Sequence, residues 1–183
     1  MKQAVRRDWD WSNRFVPAIK RLVGPHLLTP AALEQDAHEA TDLIVLVARD
    51  MRIAARVRRQ GYADSFPYEF TIRARRDSGA VTELEKIVNG WGDWFFYGHA
   101  DNFDGFSLWW LIDLHSFRAA LIRNSNNGTK LRFGDKPNGD GTFFKWFDLR
   151  SFPSTPPILI AGSRDLSEST TDEAFLPFNG VAQ

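Results

Sequence analysis

The chain has 183 residues, with 23 basic and 23 acidic side chains and no cysteine. That length supports one domain with a real core, and the lack of cysteine excludes a disulfide framework, a thiolate metal site and a cysteine nucleophile. A formal net charge of zero excludes a protein that holds polyanions by bulk charge alone, so any such binding must come from local asymmetry. No apolar run reaches the roughly 18 residues needed to cross a bilayer, and Met1 to Trp11 is charged and aromatic where a signal peptide would be apolar. The expectation is a cytoplasmic protein with no membrane contact.

In chain order, Trp9 to Val23 reads as a helix, with Trp11, Phe15, Ala18, Ile19 and Leu22 at three- and four-residue steps and Gly24-Pro25 as its stop. Pro17 inside that pattern implies a kink or two short helices. Thr29-Pro30 reads as an N-cap and first helical residue of a second helix through Ala40. Three strands are expected next, Asp42 to Ala48, Met51 to Arg59 and Tyr68 to Arg75, paired as a meander. Alternation puts Arg52, Ala54, Arg56 and Arg58 on one face of the second strand, and Glu69, Thr71, Arg73 and Arg75 on one face of the third.

Asp77-Ser78-Gly79 reads as a turn, Thr82 to Asn89 as a helix ended by Gly90, and Asp93 to His99 as a strand covered on both faces. Phe106 to Ile112 is a further strand, and Asp113 caps a helix running to about Arg123. The adjacent Trp109 and Trp110 must then face opposite ways. The aromatics from Trp91 to Tyr97, with Trp109 and Trp110, read most simply as core, with stacking on unpaired bases as the alternative. The stretch from Gly134 to Gly141 reads as a hairpin turn, Ile158 to Ile160 as a short edge strand, and residues 163–183 as a loose acidic tail after a single domain spanning 1–162. The expected fold class is α/β, with a mixed sheet flanked by helices in the order helix, three-strand meander, helix, strand, strand, helix.

The charge pattern carries the functional reading. Between Arg49 and Arg76 the chain holds eight arginines against three acids and has no lysine. A guanidinium grips phosphate or carboxylate with a planar fork, so Arg52, Arg56, Arg58, Arg59, Arg73 and Arg75 are candidate nucleic-acid-binding residues; a merely solvated arginine-rich face is the alternative. The four histidines have no zinc-ligand spacing, and His99 reads as a polar group at the end of a buried strand.

The segment Asp42-Leu-Ile-Val-Leu, a turn and Ile53-Ala-Ala-Arg-Val-Arg-Arg resembles the core of the PD-(D/E)XK nuclease superfamily. The wider text, including Phe70-Thr-Ile-Arg73, Thr82-Glu-Leu-Glu-Lys86 and Gly90-Trp-Gly-Asp93, is similar to uncharacterised proteins encoded by bacteriophages and prophages. The nuclease resemblance spans Thr29 to Arg123 and implies a divalent metal, Mg²⁺ or Mn²⁺, at a DNA phosphate. The chain departs from that pattern where the acid-x-lysine triplet would fall: Arg56-Val57-Arg58 stands there, and arginine neither ligates Mg²⁺ nor serves as a general base.

A displaced site would use Asp42, Glu69 and Glu39 as metal ligands and Asp42, Glu69 and Lys86 as the catalytic set. Alternatively, Asp42 caps a strand start and Glu69 pairs with a neighbouring arginine. The expectation is therefore a phage-type nucleic-acid-binding protein, with DNA or RNA as partner, and a metal-dependent nuclease if the displaced site holds. The rivals are a module that blocks a host protein and a virion or assembly component that forms homo-oligomers.

Overall fold

Two consecutive segments rich in aromatic residues, 94–100 and 106–113, organise the molecule. The computed structural model describes residues 7, 10–30, 43–45, 51–125, 130–138 and 140–166. Its elements are α1 (Val16–Val23), β1 (Leu28–Pro30), β2 (Leu43–Val45), β3 (Ile53–Arg58), α2 (Tyr62–Ser65), β4 (Glu69–Arg76), α3 (Glu83–Val88), β5 (Trp94–Ala100), β6 (Phe106–Asp113), α4 (Leu114–Ser125), β7 (Phe133–Asn138), β8 (Thr142–Asp148) and β9 (Leu159–Gly162). The fold is α/β. A mixed four-stranded sheet has the order β3-β5-β6-β9, a three-stranded antiparallel sheet has the order β4-β8-β7, and β1 and β2 form an antiparallel pair.

The expected meander does not form. β3 pairs in parallel with β5, Ile53 opposite Trp94 and Arg58 opposite His99, while β4 pairs antiparallel with β8 in the other sheet. Alternation fixes which side chains share a face but says nothing about which strand lies alongside. Thr29 and Pro30 do not open a helix; they pair with Ile44 and Leu43 in the β1–β2 ladder, which satisfies the backbone that a cap would otherwise have served. Residues 31–40, and the remainder of the expected Asp42 to Ala48 strand, lie outside the described residues.

Other expectations hold. The first helical segment breaks at Arg14–Phe15 and resumes as α1 with Pro17 in its first turn, where a missing N–H costs nothing. α3 begins at a capping box: Thr82 accepts from the Glu85 N–H at 3.3 Å, and the Glu85 carboxylate accepts from the Thr82 N–H at 3.4 Å. Asp113 accepts from the Ser116 N–H at 2.6 Å and so starts α4. Of the Gly134 to Gly141 stretch, expected as a turn, Gly134 to Asn138 instead belongs to β7 and pairs with β8, while β9 adds the expected edge strand beside β6.

Covering both faces of the four-stranded sheet divides the core in two. The larger part gathers Phe95, Tyr97, Leu108, Trp110 and Ile112 from that sheet, Phe70, Ile72 and Phe147 from the three-stranded sheet, and Leu114, Phe117 and Ala120 from α4. The smaller part sets Phe96 and Leu111 against Val23 of α1, with Ile53, Trp94 and Trp109 at its margin. Trp109 and Trp110 thus face opposite ways, and the Trp110 indole N–H, buried with its ring, donates to the Pro67 carbonyl at 3.2 Å. Phe70 stacks on Phe147 at 5.2 Å and meets Phe117 edge-on at 5.8 Å; removing a ring so enclosed costs about 3–5 kcal/mol. β5 leaves no room at Gly98, where an added Cβ would lie 2.5 Å from the Phe106 ring.

Candidate functional site

β3 and β4 each end their sheet, and α3 bridges the region between them. Two bonds strap the first turn of α3 to β4: the Arg73 N–H donates to the Glu83 carboxylate at 3.1 Å, and the Thr82 hydroxyl donates to the Ala74 carbonyl at 3.3 Å. Between them the β4–β8 register slips, because Arg73 lies opposite Phe144 and Arg75 opposite Phe143. This bulge at Ala74 overturns the expected alternation. It carries Arg76, rather than Arg75, to the side of Arg73. Arg75 is exposed instead and lies over the Phe143 ring at 3.7 Å.

Two adjoining clefts follow from this arrangement, and they share Arg73 and Glu83 as walls. One, of about 620 Å³, is lined by Arg52, Arg73, Arg76, Lys86 and Trp91 among others. The second, of about 490 Å³, is lined by Trp11, Arg56, Arg58, Arg59, Tyr62 and Arg73 among others. Of the described residues that line them, seven are arginine or lysine and Glu83 alone is acidic.

Glu83 takes the Arg56 guanidinium in an ion pair whose side chains are 14% and 24% exposed. Arg52 reaches Asp93 at 4.0 Å and lies over the Trp91 ring. Arg58, Arg59, Arg73, Arg76 and Lys86 have no ion pair among the described residues. Several instead lie against rings: Arg58 over Tyr62 at 4.3 Å, Arg59 over Trp11 at 5.1 Å, and both Arg56 and Arg73 over Phe144. Burial lowers the Arg73 pKa from its ordinary value, and the neighbouring Arg56 and Arg76 lower it further. The Nε atoms of Arg56, Arg73 and Arg76 are buried with no hydrogen-bond partner among the described residues. Closely spaced cations that lower the pKa of Arg73 make the cleft walls electropositive, a field suited to an anion.

A smaller cavity of about 20 Å³ adjoins the second cleft, sharing Arg58 and Tyr62 with it and reaching Glu69, Thr71, Tyr97, His99 and Lys136. Tyr97 and Thr71 hydroxyls share a hydrogen bond of 3.3 Å. His99 is only 1% exposed and neither ring nitrogen has a partner among the described residues. Burial, with Arg58 adding to it, lowers its pKa to about 4, so the ring is neutral at pH 7. Glu69 shifts the other way: burial raises its pKa, and the Asp148 carboxylate raises it further.

The residues expected to act together are distributed as follows. Arg56, Arg58, Arg59 and Arg73 share the second cleft, and Arg52 joins Arg73 in the first. Glu69 and Lys86 line different cavities. Asp42 and Glu39 lie outside the described residues. Glu69 is the one expected metal ligand among the described residues. Glu69 stands opposite Asp148, whose oxygens are already taken by Arg150 at 3.1 and 3.0 Å and by Arg132 at 2.8 Å. No group of three or more His, Asp or Glu side chains able to hold a metal ion occurs among the described residues.

Two residues of the clefts were not singled out from the sequence, and a third, Trp91, was read as core. Arg76 enters through the bulge, and Glu83 matters because it is the one acid among the described residues lining the clefts. Trp91, expected in the core, is 61% exposed on the cleft wall. Only Trp91 had a signal in the sequence, its position between Gly90 and Gly92. Comparison with protein families, curated proteins and solved structures finds no match to this chain.

Proposed function

We propose that this protein binds nucleic acid through the paired clefts, with Arg58, Arg59, Arg73, Arg76 and Lys86 contacting backbone phosphates. The observation that carries this reading is the set of cationic side chains around Glu83 that have no ion pair among the described residues. An anion entering here would offset the mutual repulsion of Arg56, Arg73 and Arg76. Arg56 and Arg52, already paired, act as walls and spacers. The reading is one of binding, because Glu69 and Lys86 line separate cavities and the chemistry of a displaced nuclease site would need them together. An origin in phages or prophages rests on the sequence resemblance alone.

Binding of fluorescein-labelled oligonucleotides, followed by anisotropy, tests the proposal. The double variant R58Q/R59Q should weaken binding at least tenfold with an unchanged circular dichroism spectrum. Unaltered affinity in a folded double variant would remove these clefts as the binding surface.

A further inference from the structure

The clefts pair their cations with a projecting indole, and that combination bears on which form of nucleic acid they take. Trp91 is exposed but firmly mounted. It sits between Gly90 and Gly92, whose positive φ values of 89° and 79° set the turn, and its backbone N–H donates to the Lys86 carbonyl at 3.0 Å. From beneath, Arg118 of α4 donates to the carbonyls of Ile87 and Gly92 at 3.4 and 3.3 Å. An added Cβ at Gly92 would lie 3.0 Å from the Leu114 side chain, so the turn is also packed close against the body of the protein. The indole is thus held out on the wall it shares with Arg73, Arg76 and Lys86.

In a duplex the base faces are stacked on one another, so a wall-mounted ring finds only the sugar-phosphate backbone. A single strand offers unpaired base faces next to its phosphates, and stacking on an aromatic ring is indifferent to which base it is. The first cleft, about 620 Å³, falls within the range of about 300–1,000 Å³ typical of small-ligand sites and has room for a base beside its phosphate. Resting on the reading above, we infer that the ligand is a single-stranded polynucleotide, with a base stacked on Trp91 and its flanking phosphates held by Arg73, Arg76 and Lys86.

The test compares fluorescein-labelled oligothymidylate and oligouridylate of about 20 nucleotides with a duplex of equal length, at one salt concentration. Single strands should bind at least tenfold more tightly than the duplex; the thymidylate and uridylate arms then separate DNA from RNA. Trp91→Ala should lower single-strand affinity about 5- to 100-fold, leave the salt dependence unchanged, and be largely rescued by Trp91→Phe. Equal or tighter duplex binding, or a folded Trp91→Ala variant that binds like wild type, overturns this inference while salt-sensitive binding preserves the broader one. Failure of all the oligonucleotides to bind overturns both.

Discussion

Glu83 is the residue at which folding and ligand binding should respond in opposite directions. Glu83→Gln keeps the side-chain shape and the acceptor for the Arg73 N–H, and removes only the charge that holds Arg56. Exposed ion pairs contribute about 0–1 kcal/mol, and breaking fully buried ones costs about 3–5 kcal/mol. With exposures of 14% and 24%, this pair falls between those limits. We therefore expect a loss of about 2 kcal/mol, or a Tm lower by about 4–8 °C for a domain of this size.

Binding should improve. The substitution deletes the one acid among the described residues that line the two clefts and frees Arg56 for the ligand. A unit charge at about 6–8 Å in an effective dielectric of about 40–80 is worth about 0.5–1.4 kcal/mol, so affinity should rise about 3- to 10-fold. Thermal melts followed by near-ultraviolet circular dichroism and anisotropy titrations below the lowered Tm measure the two effects on one preparation. A variant that is less stable but binds no better, or worse, would refute the claim that the ligand faces these clefts.

Two further outcomes concern the fold. His99 titrates at about 4 in the folded protein against an ordinary 6.5, so the unfolded chain binds more protons and stability should fall between about pH 6.5 and pH 4 by about 3 kcal/mol. Glu69, with its raised pKa, acts with the opposite sign below that raised value and down to about 4.5. Urea unfolding across this range should therefore show the acid loss reduced by about 3 kcal/mol in His99→Leu, which gives up no hydrogen bond; an unchanged pH profile would contradict it. Asp148, 3% exposed, holds both Arg132 and Arg150, and Asp148→Asn should cost about 3 kcal/mol in the same assay, whereas a loss under about 1 kcal/mol would show the cluster to be dispensable.

How far the sequence could be read depended on whether the deciding interaction was local. Thr82, Asp113 and the Trp109–Trp110 pair were legible because caps and strand faces are settled within a few residues. The neighbour of β3 was not. It is β5, some forty residues on, and an alternating strand carries no label for its partner. Thr29-Pro30 has the chemistry of a helix start, yet a ladder to Ile44 and Leu43 prevails over it.

The candidate surface shows the same division. Arginine content was visible along the chain, and four of the six expected arginines do meet in one cleft. The bulge that replaces Arg75 with Arg76 is tied to Thr82 and Glu83, a tertiary strap with no marker in β4 itself. Glu83 reads locally as a favourable acid in a helix first turn, and its pairing with Arg56 exists only once the two edge strands are side by side.

The salt dependence of binding tests the central claim most directly. Five cations that have no ion pair among the described residues line the clefts: Arg58, Arg59, Arg73, Arg76 and Lys86. If each releases a counterion on binding a single strand, log K should fall against log salt with a slope of about −3.5, a loss of about a hundredfold between about 50 and 200 mM. A slope near that value, reduced to about −2 in R58Q/R59Q, is the predicted result. Salt-independent binding, or none at the lowest salt, would contradict the account.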